Sequence, residues 1–220
     1  MQANYDTYLR LHAPDRAVQD AAIRRRTGLL TGLGLDSLEQ EEEFDAFATD
    51  VSQGFAAALG RVAQGLYAMV NLIGQEQVFV GLHNPPGKRP VGRTMSRDHG
   101  YCPAVIDRGL PLVLSDVLAA PRFASNHVVD AIGIRTYAGT PLIHQDTGIA
   151  FGTLCVIGDH QLPEETEDAA LALIKAGGAR LMQLIEQRTT VPELGPPADD
   201  ATSATGPTVM TQILPSTDRP

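Results

Sequence analysis

Two amphipathic helices are predicted to bracket the middle of the chain, over residues 41–63 and 164–188. In both segments, apolar residues recur three and four positions apart, which is the spacing of one helix face. The recurring residues are Phe44, Phe47, Ala48, Val51, Phe55, Leu59 and Val62 in the first helix and Leu171, Ile174, Leu181, Leu184 and Ile185 in the second. Each helix therefore has an apolar face that must pack against another element.

Short segments rich in strand-forming residues lie between the two helices. They predict strands over residues 67–73, 76–82, 111–114, 135–143 and 149–157. Turn signals join the first two strands, and also the last two, into hairpins. Short helical segments are predicted over 101–108 and 126–132, residues 120–123 are predicted as a loop, and residues 84–99 as a basic, irregular loop. Strands bracketed by helices indicate an α+β fold with an antiparallel sheet covered by helices on at least one face.

Composition divides the chain into three zones. Residues 1–35 are an arginine-rich extension with a predicted helix over 14–27, after which glycines break the pattern. Residues 36–188 are the predicted folded domain. Residues 189–220 hold six of the fifteen prolines and no aromatic residue, so we expect a disordered tail. The run Arg24-Arg25-Arg26 is interpreted as a solvated helix end rather than a nucleic-acid patch.

Charge and cysteine content narrow the class of protein. The net charge of −9 disfavours a nucleic-acid partner, because binding to a phosphate backbone depends on clustered Lys and Arg. No apolar run approaches the length of a membrane span, and the N-terminus lacks a signal-peptide pattern. The two cysteines, Cys102 and Cys155, form no CxxC motif, and a disulfide between them is not expected. These features predict a cytoplasmic protein with reduced thiols.

Four sequence fragments, in this order, resemble the GAF domain family, in particular its stand-alone bacterial members of actinomycete type. They are Tyr101–Asp116, Pro121–Phe123, Ile134–Leu142 and Gly148–Ile157. The resemblance covers residues 38–188. It implies a six-stranded antiparallel sheet with a small-molecule pocket on one face and the terminal helices on the other. It also implies a homodimer through the helices over 41–63 and 164–188.

Eight residues are candidates for the ligand pocket that this resemblance implies: Asn71, Phe79, His99, Cys102, Asp116, Arg135, Tyr137 and Thr153. Arg135 and Tyr137 differ by two positions, so a strand would point them to the same face. Asp116 and Arg135 are either a polar clamp for an anion or a structural ion pair that fixes the loop. Cys102 is either a reactive thiol near a helix start or a buried small hydrophobe. Cys155, in the middle of a predicted strand, is predicted as a core residue.

Two glycines lie inside predicted strands, Gly139 and Gly152. Glycine within a strand often marks a bulge or the close approach of another backbone. Here it provides either room for a ligand or room for a closely packed helix. The sequence leaves both interpretations open.

The function we expect is a cytoplasmic signal-transduction sensor that binds a small molecule and modulates a separate protein, such as a kinase or regulator. Basic residues favour an anionic metabolite as the ligand, namely Arg89, Arg93, Arg97 and Arg135. No enzyme activity and no metal site are expected, because the chain has none of the common catalytic or metal-binding motifs. The alternative is a ligand-free dimerisation or scaffold module.

Two remote alternatives involve particular residues. Some GAF proteins are free methionine-(R)-sulfoxide reductases, which would require Cys102 to act as a catalytic thiol, although it lacks an evident resolving partner. Other GAF domains bind haem or bilin. Here His99 or His127 is the candidate haem ligand and Cys102 lies in the region of a bilin attachment site, but the surrounding bilin motif is absent.

Overall fold

The computed structural model describes residues 16–37 and 39–190. Residues 1–15 of the predicted extension, Leu38, and residues 191–220 of the predicted tail lie outside the described residues. The helices are α1 (Arg16–Gly32), α2 (Glu42–Leu59), α3 (Cys102–Arg108), α4 (Pro121–Ala124), α5 (His127–Ile132) and α6 (Glu167–Thr190). The strands are β1 (Tyr67–Ile73), β2 (Glu76–His83), β3 (Thr94–Ser96), β4 (Leu112–Leu114), β5 (Thr136–Ile143) and β6 (Ala150–Gly158).

The strands form one antiparallel sheet in the order β3-β2-β1-β6-β5-β4. The hairpins β1–β2 and β5–β6 meet at the centre, where β1 pairs with β6. Every residue of β1 is buried, because both faces of the sheet are covered. A strand covered on both faces gives a continuous apolar run in the sequence and little alternation. The six-stranded antiparallel α+β fold that the resemblance implied is confirmed.

The long helices α2 and α6 pack together on one face of the sheet. Phe44 and Phe55 of α2 and Ile174 and Leu181 of α6 are fully buried in this layer. Helix α6 approaches the sheet closely at a glycine, since a Cβ built on Gly178 would lie 2.5 Å from a side-chain carbon of the β5 strand. The opposite face is covered by α3, α5 and the segments that join the shorter elements, which enclose a second apolar core.

Helix α1 packs against the domain at the beginning of β6. Leu30, together with Leu35 just beyond the helix, is buried in the same core as α2 and α6. The Arg26 Nε donates a 3.0 Å hydrogen bond to the Ala150 carbonyl, and its guanidinium lies 3.7 Å from the Asp107 carboxylate. The interpretation of the arginine run as a solvated helix end is therefore wrong for Arg26, although its two neighbours in the run are exposed.

Three local expectations are corrected. Helix α1 continues through Gly28 to Gly32, because one glycine costs a helix only about 1 kcal/mol and Leu30 beyond it is buried. Strand β3 lies in the segment expected to be irregular: with one half-buried apolar residue, Met95, between two exposed polar ones, it is too short to give a recognisable alternation. Helix α4 replaces part of a predicted loop with a single turn that begins at Pro121. Among the described helices, none is both long and apolar enough to cross a lipid bilayer.

Candidate functional site

A small cavity lies on the face of the sheet opposite α2 and α6. It is covered there by α3, α5 and the segment over residues 91–101, which together are called the cover. Its volume is about 30 Å³, and its lining includes Met69, Phe79, Tyr101, Cys102, Tyr137 and Cys155. A volume of that size accommodates one or two water molecules, whereas pockets for drug-sized ligands measure roughly 300–1,000 Å³. The cavity is narrow and only partly enclosed in this conformation, and a larger ligand requires the cover to move.

Two cysteines from distant parts of the chain meet at this cavity. Cys102 is the first residue of α3, and Cys155 lies in the middle of β6. Their sulfur atoms are 3.6 Å apart, and both side chains are buried as free thiols. The Tyr137 hydroxyl donates a hydrogen bond to the Cys102 Sγ at 3.5 Å. The site therefore contains a pair of thiols with a phenol at hydrogen-bonding distance.

The protonation state of each thiol depends on that of the other. The hydrogen bond with Cys155 is the largest influence on Cys102 and lowers its pKa, against burial, which raises it. Polar groups of Thr153, Tyr137 and Asn71 act in the same direction as Cys155. The hydrogen bond with Cys102 and then burial raise the pKa of Cys155. The first proton therefore leaves the pair more easily than the second, and the lowered pKa favours Cys102 as the thiol that ionises first.

Three buried polar atoms on or beside the cavity have no partner within hydrogen-bonding distance, although Thr153 and Asn71 are close enough to the thiols to influence their pKa. They are the Asn71 Oδ1, the Thr153 Oγ1 and the Tyr101 hydroxyl. An unsatisfied buried polar group costs about 1–3 kcal/mol, so native proteins keep few of them without a reason. These atoms give the otherwise apolar site unused hydrogen-bonding capacity.

The cover is attached to the sheet and to itself by side-chain amides. The Gln77 Nε2 donates to the carbonyls of Ser96 (2.8 Å) and His99 (2.7 Å), while the Gln77 Oε1 accepts from the Asn71 Nδ2 (2.9 Å). Asn126 bonds both the N–H and the carbonyl of Gly100, at 2.9 and 2.7 Å. Gln77 thus connects the floor of the site to the segment that closes it.

Replacing Gln77 by leucine should therefore loosen the cover. The substitution keeps similar volume but leaves the Asn71 amide and two carbonyls unpaired, so we expect the free energy of unfolding to fall by about 2–3 kcal/mol. Amide hydrogen exchange should increase first in residues 94–101. The control is Gln75→Leu in the exposed β1–β2 turn, which should change both quantities little. Equal exchange in the two variants would contradict the role given to Gln77.

The structure brings five of the eight predicted pocket residues together: Asn71, Phe79, Cys102, Tyr137 and Thr153 are all buried on or beside this cavity. His99 lies in the cover, and its ring stacks on that of His127 with centroids 4.5 Å apart. Within the described residues, no group of three or more His, Cys, Asp or Glu side chains could hold a metal ion.

Arg135 and Asp116 are placed away from the cavity lining. Arg135 directly precedes β5 and is absent from the cavity lining, to which Tyr137 belongs. Its guanidinium bonds both Asp116 carboxylate oxygens, at 3.2 and 2.9 Å. Hydrogen bonding to Arg135 lowers the pKa of Asp116. This geometry is that of a structural ion pair, which is one of the two interpretations that the sequence left open.

The basic residues that suggested an anionic ligand are also engaged elsewhere or absent from the lining. Arg93 pairs with the Asp45 carboxylate at 2.7 Å and bonds the Phe79 carbonyl at 3.0 Å. Arg97 donates to the Gln19 side chain at 3.2 Å. Arg89 and Arg135 do not line the cavity either. The expectation of an anion at this cavity is therefore not supported by the side chains that line it.

Sequence reasoning missed three residues of the site: Gln77, Tyr101 and the role of Cys155. The register of the last hairpin contains the signal for Cys155. On β6, Thr153, Cys155 and Ile157 alternate with residues that face the long helices, so Cys155 points to the same side as Thr153. Its strand partners across the sheet are Met69 and Gly139. The approach of Cys102 from α3 has no equivalent signal in the sequence.

Comparison with known proteins adds a family context. The family model of the GAF domain matches residues 41–185. A search of curated proteins found no significant match. Among solved structures, the chain is similar to a type II free methionine-R-sulfoxide reductase from Thermoplasma acidophilum, with 11% identity, coverage of 66% of this chain and 91% of that chain, and a TM-score of 0.48.

Two further solved structures show a comparable likeness. The GAF domain of an Acinetobacter phosphoenolpyruvate-protein phosphotransferase has 15% identity, covers 80% of this chain and 98% of its own, and gives a TM-score of 0.47. A free methionine-R-sulfoxide reductase from Neisseria meningitidis has 18% identity, with coverage of 80% and 95% and a TM-score of 0.44.

Proposed function

The chain belongs to the GAF domain family, and on that premise we propose that it is a sensor module that binds a small molecule at the covered cavity and modulates a separate protein. One observation carries the proposal. Three buried polar atoms lack partners: the Tyr101 hydroxyl belongs to a side chain on the lining of the apolar cavity, and those of Asn71 and Thr153 lie beside it, next to Cys102. A ligand that satisfies them recovers hydrogen bonds that the free protein lacks.

The ligand we propose is small, uncharged and mostly apolar, with one or two hydrogen-bonding groups. Among the described residues, the cavity lining contains no Asp, Glu, Lys, Arg or His side chain that could pair with a charged ligand, and burying an unpaired charge there would be costly. The anionic metabolite expected from the sequence would need a different location. The Tyr101 hydroxyl is the group on the lining that is free to bond such a ligand.

Binding transmits a signal in this proposal through the cover. The cavity must enlarge, so a ligand shifts the equilibrium toward a state in which the segments joined by Gln77 and Asn126 have moved. A ligand acts only through its different affinities for the two states. The receiving protein is proposed to be a kinase or regulator in the cytoplasm. We propose α2 and α6 as the contact surface of a homodimer, on the opposite face of the sheet.

Native mass spectrometry of the freshly purified chain tests the proposal, together with its visible absorption spectrum. We expect a non-covalent adduct, or else a compound from a metabolite screen that raises the melting temperature. At a ligand concentration of about 100 Kd the stabilisation is about 2.7 kcal/mol, which corresponds to roughly 5–10 °C for a domain of this size.

A cavity-filling variant provides the matched comparison. Val128 is buried on α5 and lines the cavity, so Val128→Phe should abolish the adduct and the thermal shift. The same change at Val18, which is 61% exposed on α1, should leave both intact. A shift that persists in Val128→Phe would place the ligand elsewhere. A visible band would identify a haem or bilin instead.

A second candidate function is the ligand-free dimerisation module. The observation that favours it is the cavity volume of about 30 Å³, since a module without a ligand needs no open pocket. It predicts a dimer without adduct, and no compound that shifts the melting temperature of the wild-type chain more than that of Val128→Phe. The same measurements therefore separate the two functions.

A further inference from the structure

We propose that Cys102 and Cys155 form a reversible disulfide when a hydroperoxide reaches the cavity that both thiols line. The proposal concerns a covalent change at the floor of the site and does not depend on the ligand or partner of the proposed function. It rests on the separation of the two sulfurs, on the size and lining of the cavity, and on the hydrogen bond that Cys102 accepts from Tyr137.

The geometry of the thiols is close to what a disulfide requires. The two sulfurs are 3.6 Å apart, which is van der Waals contact, and a disulfide bond is about 2 Å long. They must therefore approach by about 1.6 Å, the difference between these two lengths. Cys102 lies at the end of a short surface helix, so rotation of both side chains with a small displacement of that end achieves the approach. Cys155 is held by strand pairing on both sides.

The cavity gives a small oxidant a place next to both thiols. Cys102 and Cys155 both line it, and its volume of about 30 Å³ matches a molecule the size of one or two waters. Hydrogen peroxide has two oxygen atoms and is of that size. Larger oxidants such as glutathione disulfide do not fit. The half-buried Val91, in the segment between β2 and β3, and Met95, in β3, also line the cavity.

The surroundings of the pair favour Cys102 as the attacking thiol. It accepts the hydrogen bond from the Tyr137 hydroxyl, and its pKa is lowered whereas that of Cys155 is raised. The thiolate is the nucleophile in thiol oxidation, so the thiol that ionises first reacts first. Cys155 then acts as the resolving thiol.

The reaction balances in two steps. The Cys102 thiolate attacks one oxygen of hydrogen peroxide and the O–O bond breaks, which yields a sulfenic acid at Cys102 and a hydroxide ion that takes up the proton released by the thiol. The Cys155 sulfur then attacks the Cys102 sulfur. The S–S bond forms, the S–O bond breaks, and the hydroxyl leaves as water with the proton of Cys155. Two thiols are oxidised to one disulfide, and one peroxide is reduced to two waters.

Thiol counting tests the proposal without ambiguity, because the chain has only two cysteines. The full chain is treated with hydrogen peroxide under native conditions, quenched with acid, and unfolded in the presence of an alkylating agent. We expect the number of alkyl groups per chain to fall from two to zero while the intact monomer mass falls by two hydrogens. Dithiothreitol should restore both labels.

Two variants assign the roles of the thiols. Cys155→Ser should stop at a sulfenic acid on Cys102 that dimedone traps, whereas Cys102→Ser should keep its remaining thiol alkylatable at the same peroxide concentration. Retention of both labels in the wild-type chain, a disulfide between two chains, or a sulfinic acid would each overturn the proposal. Sulfoxide at Met69 or Met95 with intact thiols would overturn it too, and dithiothreitol does not reverse that change.

Discussion

Replacing Gly81 by alanine should lower the free energy of unfolding by about 3 kcal/mol, which is the upper end of the usual penalty for an overpacked core. A Cβ at this position would lie 2.5 Å from the carbonyl oxygen and 2.7 Å from the carbonyl carbon of Phe44. These are backbone atoms at the start of α2, so no side-chain rotation relieves the contact. The helix must move away from the sheet.

Other contacts between α2 and the sheet raise the energy needed for that movement. The Asp45 carboxylate accepts a 2.7 Å hydrogen bond from the Leu82 N–H, and the Glu41 N–H donates to the Val80 carbonyl at 3.0 Å. Phe44 itself is fully buried in the core. Lifting α2 by the required distance weakens both hydrogen bonds and opens space around the phenyl ring, which adds to the steric cost.

Urea unfolding monitored by circular dichroism measures the effect, and the melting temperature should fall by roughly 6–12 °C. The matched control is Gly54→Ala on the exposed side of α2, where an added Cβ meets no atom within 4 Å. Alanine is the better helix former, so this variant should gain up to about 1 kcal/mol. If Gly81→Ala unfolds at the wild-type urea concentration, the contact between α2 and β2 is not as close as described.

The long elements were predictable because each has its own periodic signal. The apolar stripes of α2 and α6 and the strand-rich segments of the two central hairpins gave their positions to within a few residues. Strand β3 had no such signal, because it is three residues long and its pairing with β2 depends on tertiary contact. The same applies to Arg26, whose burial follows from the docking of α1 and not from its neighbours in sequence.

The site was predictable only in part, for a related reason. Asn71, Tyr137 and Thr153 lie on central strands, so a correct register brings them together. Arg135 lies just before β5, where strand alternation no longer fixes the direction of a side chain, and its pairing with Asp116 depends on tertiary contact. Cys102 was a predicted pocket residue, but its contact with Cys155 depends on how α3 packs onto the sheet, and the role of Gln77 depends on the cover; neither leaves a periodic pattern in the sequence.

Replacing Gly139 by alanine should lower the free energy of unfolding by about 2–3 kcal/mol. The contact responsible is with a side chain, whereas the contact at Gly81 is with backbone atoms. A Cβ at Gly139 would lie 2.1 Å from the hydroxyl oxygen of Tyr137 and 2.6 Å from its ring carbon Cζ. The room above this glycine is therefore taken by the tyrosine ring. Of the two interpretations that the sequence left open, the described conformation has close packing here, by a side chain of the same strand instead of a helix.

The size of this energetic penalty depends on whether the Tyr137 ring can move to another position. Its ring is fully buried, packs against Tyr101 with centroids 5.0 Å apart, and bonds Cys102 through its hydroxyl. The adjoining cavity of about 30 Å³ is smaller than a phenol ring. The displaced ring must push Cys102 or Tyr101, and so move α3 or another part of the cover.

A double-mutant cycle with Tyr137→Leu isolates this contact. Leucine removes the atoms nearest to the added methyl group, so Gly139→Ala should cost less than about 1 kcal/mol in that background, a coupling of about 2 kcal/mol. Gly92→Ala, at an exposed position where a Cβ meets nothing within 4 Å, should be close to neutral in both backgrounds. If Gly139→Ala also leaves the free energy of unfolding of the wild-type chain unchanged, the Tyr137 ring is displaced easily. Gly139 would then border space that a ligand can use, since the energy needed to move Tyr137 aside would be small.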